Sequence, residues 1–254
     1  MLFTSAHLFA QDDAELAKKT QNPLSDLISL PFQNNTSFGL GPNNDRVSNV
    51  LNIQPVIPIG LGEKVNLITR TIIPIVSLPD PTKESEAITG LGDILFTAWF
   101  SPKQPKKVIW GVGPVISFPT ATDDALGSGE VSLGPSVVLL SMSGKWVYGM
   151  LINNLWSVTD NRDSSDVNQM LLQYFINYNL PNSWYLSSAP IITANWEATS
   201  DNVWTVPFGM TVGKIFRIGK LPINCQVGAF YNVVTPEGHA DWSTRIQVQF
   251  LFPK

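Results

Sequence analysis

At 254 residues the chain is long enough for one large β domain. Charged residues are only 14% of it, against roughly 25% in soluble domains, yet mean hydropathy is a near-neutral +0.08. No stretch approaches the ~20 unbroken apolar residues of a membrane helix. A net charge of −4 without a dense basic patch excludes a nucleic-acid partner. The single cysteine, Cys225, excludes an internal disulfide and a cysteine-rich metal site. Low charge with no membrane helix fits a barrel, where apolar outward residues alternate with polar inward ones and the average cancels.

In chain order, residues 1–10 (MLFTSAHLFA) read as the tail of a secretory signal, with Ala10 before Gln11 as the cleavage point. The missing basic start suggests a true start codon upstream; the bland alternative is a simple terminal tail. Residues 12–20 and 23–29 are helix-prone, so 11–30 are expected to lie in the periplasm or to plug the lumen. The remainder, 31–254, reads as one barrel domain. It holds about twelve β-rich segments, starting near Pro31, Arg46, Val65, Gly90, Val108, Val131, Trp146, Val167, Trp184, Val203, Ile223 and Trp242. These are long enough to span a membrane, whereas soluble strands average about 5–6 residues.

The breaks between segments alternate in kind. The odd-numbered ones, near 43–46, 80–89, 123–130, 159–166, 197–202 and 236–241, hold fourteen of the twenty acidic residues. The even-numbered ones, at 62–64, 101–107, 143–145, 181–183 and 214–220, are mostly tight and basic. In an even-stranded barrel the short turns and both termini face the periplasm, so the acidic loops face outward.

Side-chain parity gives the sense of the wall. In the last segment Trp242, Thr244, Ile246, Val248, Phe250 and Phe252 share one face, against Arg245, Gln247 and Gln249 on the other. Segments eight and eleven repeat the pattern, with Asn and Gln opposite aliphatic and aromatic residues. A soluble barrel would show Lys and Glu outward instead. Asn154 falls on the apolar parity, and Lys214 suggests a bulge. Eight tryptophans flank the breaks: Trp99, Trp110, Trp146 and Trp184 beside the basic turns, and Trp156, Trp196, Trp204 and Trp242 beside the acidic loops. They are expected at the two membrane interfaces. Pro55, Pro58, Pro74, Pro114, Pro119, Pro190 and Pro207 stand against the reading, since each removes a ladder donor.

Catalytic groups are scarce. His7 lies in the signal-like stretch, and His239 lies in an outer loop beside Asp241. His239 with Ser243 could mimic a lipid hydrolase, but a solvated loop histidine is the simpler reading. No cluster suggests zinc, and no cofactor is expected. The acidic loops could hold Ca²⁺ or bridge to lipopolysaccharide, but solvated loop charge is the simpler reading. The expected pore-lining side chains are Asn52, Gln54, Arg70, Gln173, Asn177, Asn195, Gln226, Arg245, Gln247 and Gln249. Amides donate and accept, which suits small polar or mixed solutes. They could also bond only to one another and seal a narrow barrel.

Several strings, among them LAKKTQNPLSDLISLPFQNN, NVLNIQPVIP, LITRTIIPIVS, WGVGPVISFPTATD, WYLSSAPIITANWEA and the terminal IQVQFLFPK, resemble a bacterial family often labelled neuromedin U. That family is similar to the meta-pathway phenol-degradation outer-membrane proteins. The resemblance runs from about Ala14 onward. It implies an all-β, antiparallel up-and-down transmembrane barrel in the outer membrane of a Gram-negative bacterium, carrying small aromatic or hydrophobic solutes. Lipid, lipopolysaccharide and the barrel-assembly machinery would be its partners. It supplies no catalytic residues. The terminal Pro253 and Lys254, after Phe252, depart from the usual aromatic ending of such proteins. A structural or adhesive barrel with a closed lumen is the alternative function.

Overall fold

Period-two alternation commits nearly the whole chain to strands, and each strand's hydrogen-bonding edges are met by its sequence neighbours. The computed structural model describes residues 15–83, 86–159 and 166–252. Its strands are β1 (Ile28–Leu40), β2 (Arg46–Ile53), β3 (Val56–Leu61), β4 (Val65–Pro79), β5 (Ala87–Leu91), β6 (Ile94–Pro102), β7 (Ile109–Phe118), β8 (Ser132–Ser143), β9 (Trp146–Ser157), β10 (Asn168–Asn179), β11 (Trp184–Ser188), β12 (Ile191–Asn195), β13 (Trp204–Ile218), β14 (Leu221–Val234) and β15 (Trp242–Phe252). All pairings are antiparallel, and β15 returns to β1, with Ile28 opposite Phe252 and Phe38 opposite Trp242. The ring is closed and leaves no long free edge.

Twelve staves build the wall, as the sequence reading expects, because three staves are each made of two segments. Both β2 and β3 lie between β1 and β4, and both β11 and β12 lie between β10 and β13. On β4, β5 pairs with 75–79 and β6 with 65–72. Two breaks fall at proline, Gln54–Pro55 and Ala189–Pro190, and the third at Gly92–Asp93. Pro207 sits at a bulge between β13 and β14, and Pro119 follows the end of β7. Four of the seven problematic prolines therefore mark interruptions of the ladder, where a missing N–H costs little. Lys214 pairs in regular register with Cys225, so the bulge lies at Val206/Pro207 instead.

The two-residue turns 144–145 and 219–220 join β8 to β9 and β13 to β14, and Gly144 and Gly219 take positive φ. That is the backbone a tight twisted hairpin demands. They lie at the same end of the barrel as the first residue of β1.

From that end the N-terminal segment enters the wall. Residues 15–20 form a short helix. Leu16, Ala17 and Leu27 are buried against Ile215 and Leu251. Leu24 is buried in a second cluster with Ile68, Trp99, Val138, Leu140, Val147, Leu151 and Phe175. Gly111 makes room for it, since a Cβ there would come within 2.8 Å of the Leu24 side chain. Gln21 and Asn179 exchange amide hydrogen bonds at 2.9 and 3.1 Å. Residues 1–14 and the terminal Pro253 and Lys254 lie outside the described residues, as do His7 and the signal-like stretch.

The outward face is apolar: Ile57, Phe208, Met210, Val227 and Ile246 are all exposed. A continuous band of such side chains costs about 25 cal/mol per Å² in water and nothing comparable in lipid.

Candidate functional site

The inward face encloses a cavity of about 210 Å³, room for several waters at ~30 Å³ each. Residues 20–29 bound it on the short-turn side. Gln54, Arg70, Gln173 and Asn177 line it from one part of the wall, and Gln226, Arg245, Gln247 and Gln249 from another. Of the ten expected lining residues, two lie elsewhere. Asn52 pairs with the lining residue Gln33 but is outside the cavity. Asn195 is exposed at the end of β12, where its side-chain oxygen accepts from the Glu197 N–H at 3.2 Å. There it caps the turn instead of facing solute.

Arg245 is held by the wall's own defects. Its Nε donates to Asn35 Oδ1 and its Nη1 to the Ala189 carbonyl, both at 3.0 Å. Ala189 ends the stave broken by Pro190, so its carbonyl is free to accept Arg245 and also the Gln173 amide at 3.3 Å. The guanidinium lies 4.6 Å from the centre of the Phe230 ring, a cation–π contact.

Arg70 is placed differently. It lies 5.0 Å from the centre of the Trp99 ring, and its buried Nε has no hydrogen-bond partner among the described residues. Part of its surface is accessible, and that surface borders the cavity it lines. Its cross-strand neighbour Thr97, fully buried, has an unpaired hydroxyl. No Asp or Glu lines the cavity among the described residues.

The rest of the polar wall is a connected network. The Tyr185 hydroxyl donates to Asn224 at 2.7 Å, and the Asn224 amide donates to Gln249 at 3.1 Å. Gln33, Tyr185 and Asn224 join the lining without having been singled out as pore residues. Asn224 stood on the polar parity of its strand. Gln33 was masked because residues 33–37 (Gln-Asn-Asn-Thr-Ser) are polar on both faces. The outward members of that run, Asn34 and Thr36, are satisfied by Asn49 at 2.8–3.0 Å.

Trp99 corrects one expectation. It is fully buried, points inward, and its indole donates to Ser136 at 2.9 Å, so it is not an interface residue. The other seven tryptophans (Trp110, Trp146, Trp156, Trp184, Trp196, Trp204 and Trp242) are exposed and lie at or near strand ends. Lys214 lies 4.9 Å from the Trp184 ring centre. Trp196 donates to Asn154 at 2.9 Å, which accounts for an amide on the apolar parity.

On the loop side, the Thr82 hydroxyl and N–H donate to Asp80 at 2.6 and 2.8 Å and hold its carboxyl below the ordinary carboxylate range. Glu130 is not a solvated loop acid: it is buried and accepts a hydrogen bond from Thr159. His239 Nδ1 lies 3.3 Å from the Glu237 carbonyl in an exposed loop. Ser243 belongs to β15 and pairs with Phe230 and Ser37. Among the described residues no three His, Cys, Asp or Glu side chains form a group able to hold a metal.

No protein-family model matches the sequence, and no functionally curated protein matches it. Solved structures do resemble it. An outer membrane channel from Pseudomonas putida F1 superposes with a TM-score of 0.69 at 18% identity, over 89% of this chain and 94% of that one. The NanC porin gives 0.57 at 9% identity, over 89% and 100%. Outer membrane phospholipase A of Escherichia coli gives only 0.44 at 14%, over 89% and 90%. At these identities the likeness concerns the fold, which is that of bacterial outer-membrane β-barrels.

Proposed function

We propose that the chain is a channel or passive transporter of the Gram-negative outer membrane, passing small solutes down their gradient through the lumen. The observation that carries this reading is the cavity within the barrel, lined by amides and two arginines inside a wall whose outer face is apolar. Residues 15–27 act as a plug that narrows the route from the periplasmic side, held by Leu16, Leu24 and Leu27. Residues 1–10 are read as the remnant of an export signal. The resemblance to phenol-degradation barrels favours small aromatic or hydrophobic solutes. Lipid and lipopolysaccharide surround the barrel, and the assembly machinery inserts it. The protein is not an enzyme on this reading, in which His239 is a solvated loop histidine.

Single-channel recording of the detergent-purified whole chain in a planar bilayer tests the proposal. Discrete, reproducible current steps are expected. Silence from protein that shows the heat-dependent gel mobility of a folded barrel would sink the channel reading and leave a sealed structural barrel.

A further inference from the structure

We infer that the lumen contains a binding site for a small organic monocarboxylate, with the carboxylate on Arg70 and the apolar body against Phe175 and Leu151. The inference rests on the channel reading and narrows it to a class of solute.

Two permanent positive charges, Arg70 and Arg245, line the same cavity, and no carboxylate among the described residues lines it with them. Buried arginines are ordinarily paired, because an uncompensated charge away from bulk water is costly. Arg245 is partly compensated by neutral oxygens from Asn35 and Ala189. Arg70 has no such help. It keeps an unpaired Nε beside the unpaired Thr97 hydroxyl, and stands against the Trp99 ring. A guanidinium is a planar fork of N–H donors that matches a carboxylate bidentately. The site therefore offers donors and charge to an anion and, among the described residues, has no carboxylate that would neutralise a cation.

The same cavity is apolar on a neighbouring stretch of wall. Phe175 and Leu151 line it and belong to the buried cluster around Leu24 and Trp99. An inorganic anion would leave the cavity-facing edge of Phe175 and Leu151 without an apolar partner, and a neutral aromatic would leave Arg70 unpaired. One molecule with a carboxylate at one end and an apolar body satisfies both. The acidic outer loops oppose anions only at the mouth, where charges farther apart than the ~8 Å Debye length are screened. Partly buried charges within the lumen are screened much less.

Isothermal titration calorimetry on the detergent-purified whole chain tests this, using sodium benzoate, benzyl alcohol and benzylammonium chloride as probes. Benzoate should bind at least tenfold more tightly than benzyl alcohol, and benzylammonium should not bind. Arg70→Gln should weaken benzoate at least tenfold and leave benzyl alcohol unchanged, while Arg70→Lys retains part of the preference. If Arg70→Gln fails to show folded gel mobility, Arg245→Gln provides the same comparison with a smaller expected loss. Equal affinity for the acid and the alcohol, tighter binding of the amine, or benzoate affinity unchanged in the folded arginine variants overturns the inference. The readout needs no membrane. A protein that binds benzoate but stays silent in bilayers keeps this site and loses the channel. One that conducts without binding benzoate does the reverse.

Discussion

The two arcs of the inner wall obey the same inward parity but differ in their balance of polar and apolar side chains. On β13, β14, β15 and β1 the cavity-lining side chains include Thr211, Asn224, Gln226, Gln247, Gln249 and Gln33, while Ile215 and Leu251 of the same strands pack under Leu16 and Leu27. On β4, β6, β8, β9 and β10 the inward side chains include the apolar Ile68, Trp99, Val138, Leu140, Leu151 and Phe175, beside the cavity-lining Arg70, Gln173 and Asn177. The second arc is where Leu24 of the N-terminal segment packs. In a barrel whose outside is apolar, the inside is polar only where it faces water. Where a chain segment covers the wall, the interior is packed like the core of a soluble protein. Inward therefore does not mean wet, and the difference can be broken from either side.

The largest effect belongs to the dry arc. Trp99→Ala removes the largest fully buried side chain, the partner of the Ser136 hydroxyl and the ring beneath Arg70. Loss of a buried aromatic side chain costs about 3–5 kcal/mol. Urea unfolding of the barrel in lipid vesicles, followed by the heat-modifiable gel shift, should show a correspondingly lower midpoint. A change below about 1 kcal/mol would mean that Trp99 is not packed as described.

Leu24→Ala comes next, because it loosens the segment and leaves the wall standing. A cost of about 2 kcal/mol in docking, at the lower end for such truncations, raises the undocked population about thirtyfold. Trypsin cleavage after Lys18 and Lys19 should accelerate by that order, and the bilayer conductance should rise if the segment narrows the route. Unchanged cleavage would mean that the segment is held by Leu16 and Leu27 alone.

Much of this was legible beforehand. The number of staves, the sense of the wall and the break positions all follow from period-two alternation and charge. The arcs were not. Parity separates inside from outside but is silent on what lies opposite, so Trp99 was assigned to the membrane interface from its nearness to a turn. The prolines counted against the fold one by one. Only the pairing shows that Pro55 and Pro190 split staves, and that the second split frees the Ala189 carbonyl for Arg245. Gln33 was hidden by its polar neighbours on both faces. Arg70 and Arg245 were found because a charged residue on the polar parity of a membrane strand has nowhere else to go.

The smallest effect belongs to the wet arc, and it separates the two most sharply. Asn224 is as buried as the residues of the dry cluster, at 3% exposure, and joins Tyr185 to Gln249. In a dry interior its loss would strand a hydroxyl and an amide, at about 1–3 kcal/mol each. All three residues line the cavity, so water can enter the space left by Asn224→Ala and bond to both. The net cost is then about 1 kcal/mol or less, the ordinary worth of one hydrogen bond. The same vesicle unfolding measurement decides it. A loss approaching that of Trp99→Ala would show that the polar arc is as dry as its counterpart and that its amides only bond to one another. A small loss, with the unfolding slope unchanged, means that this arc is hydrated and open to a solute.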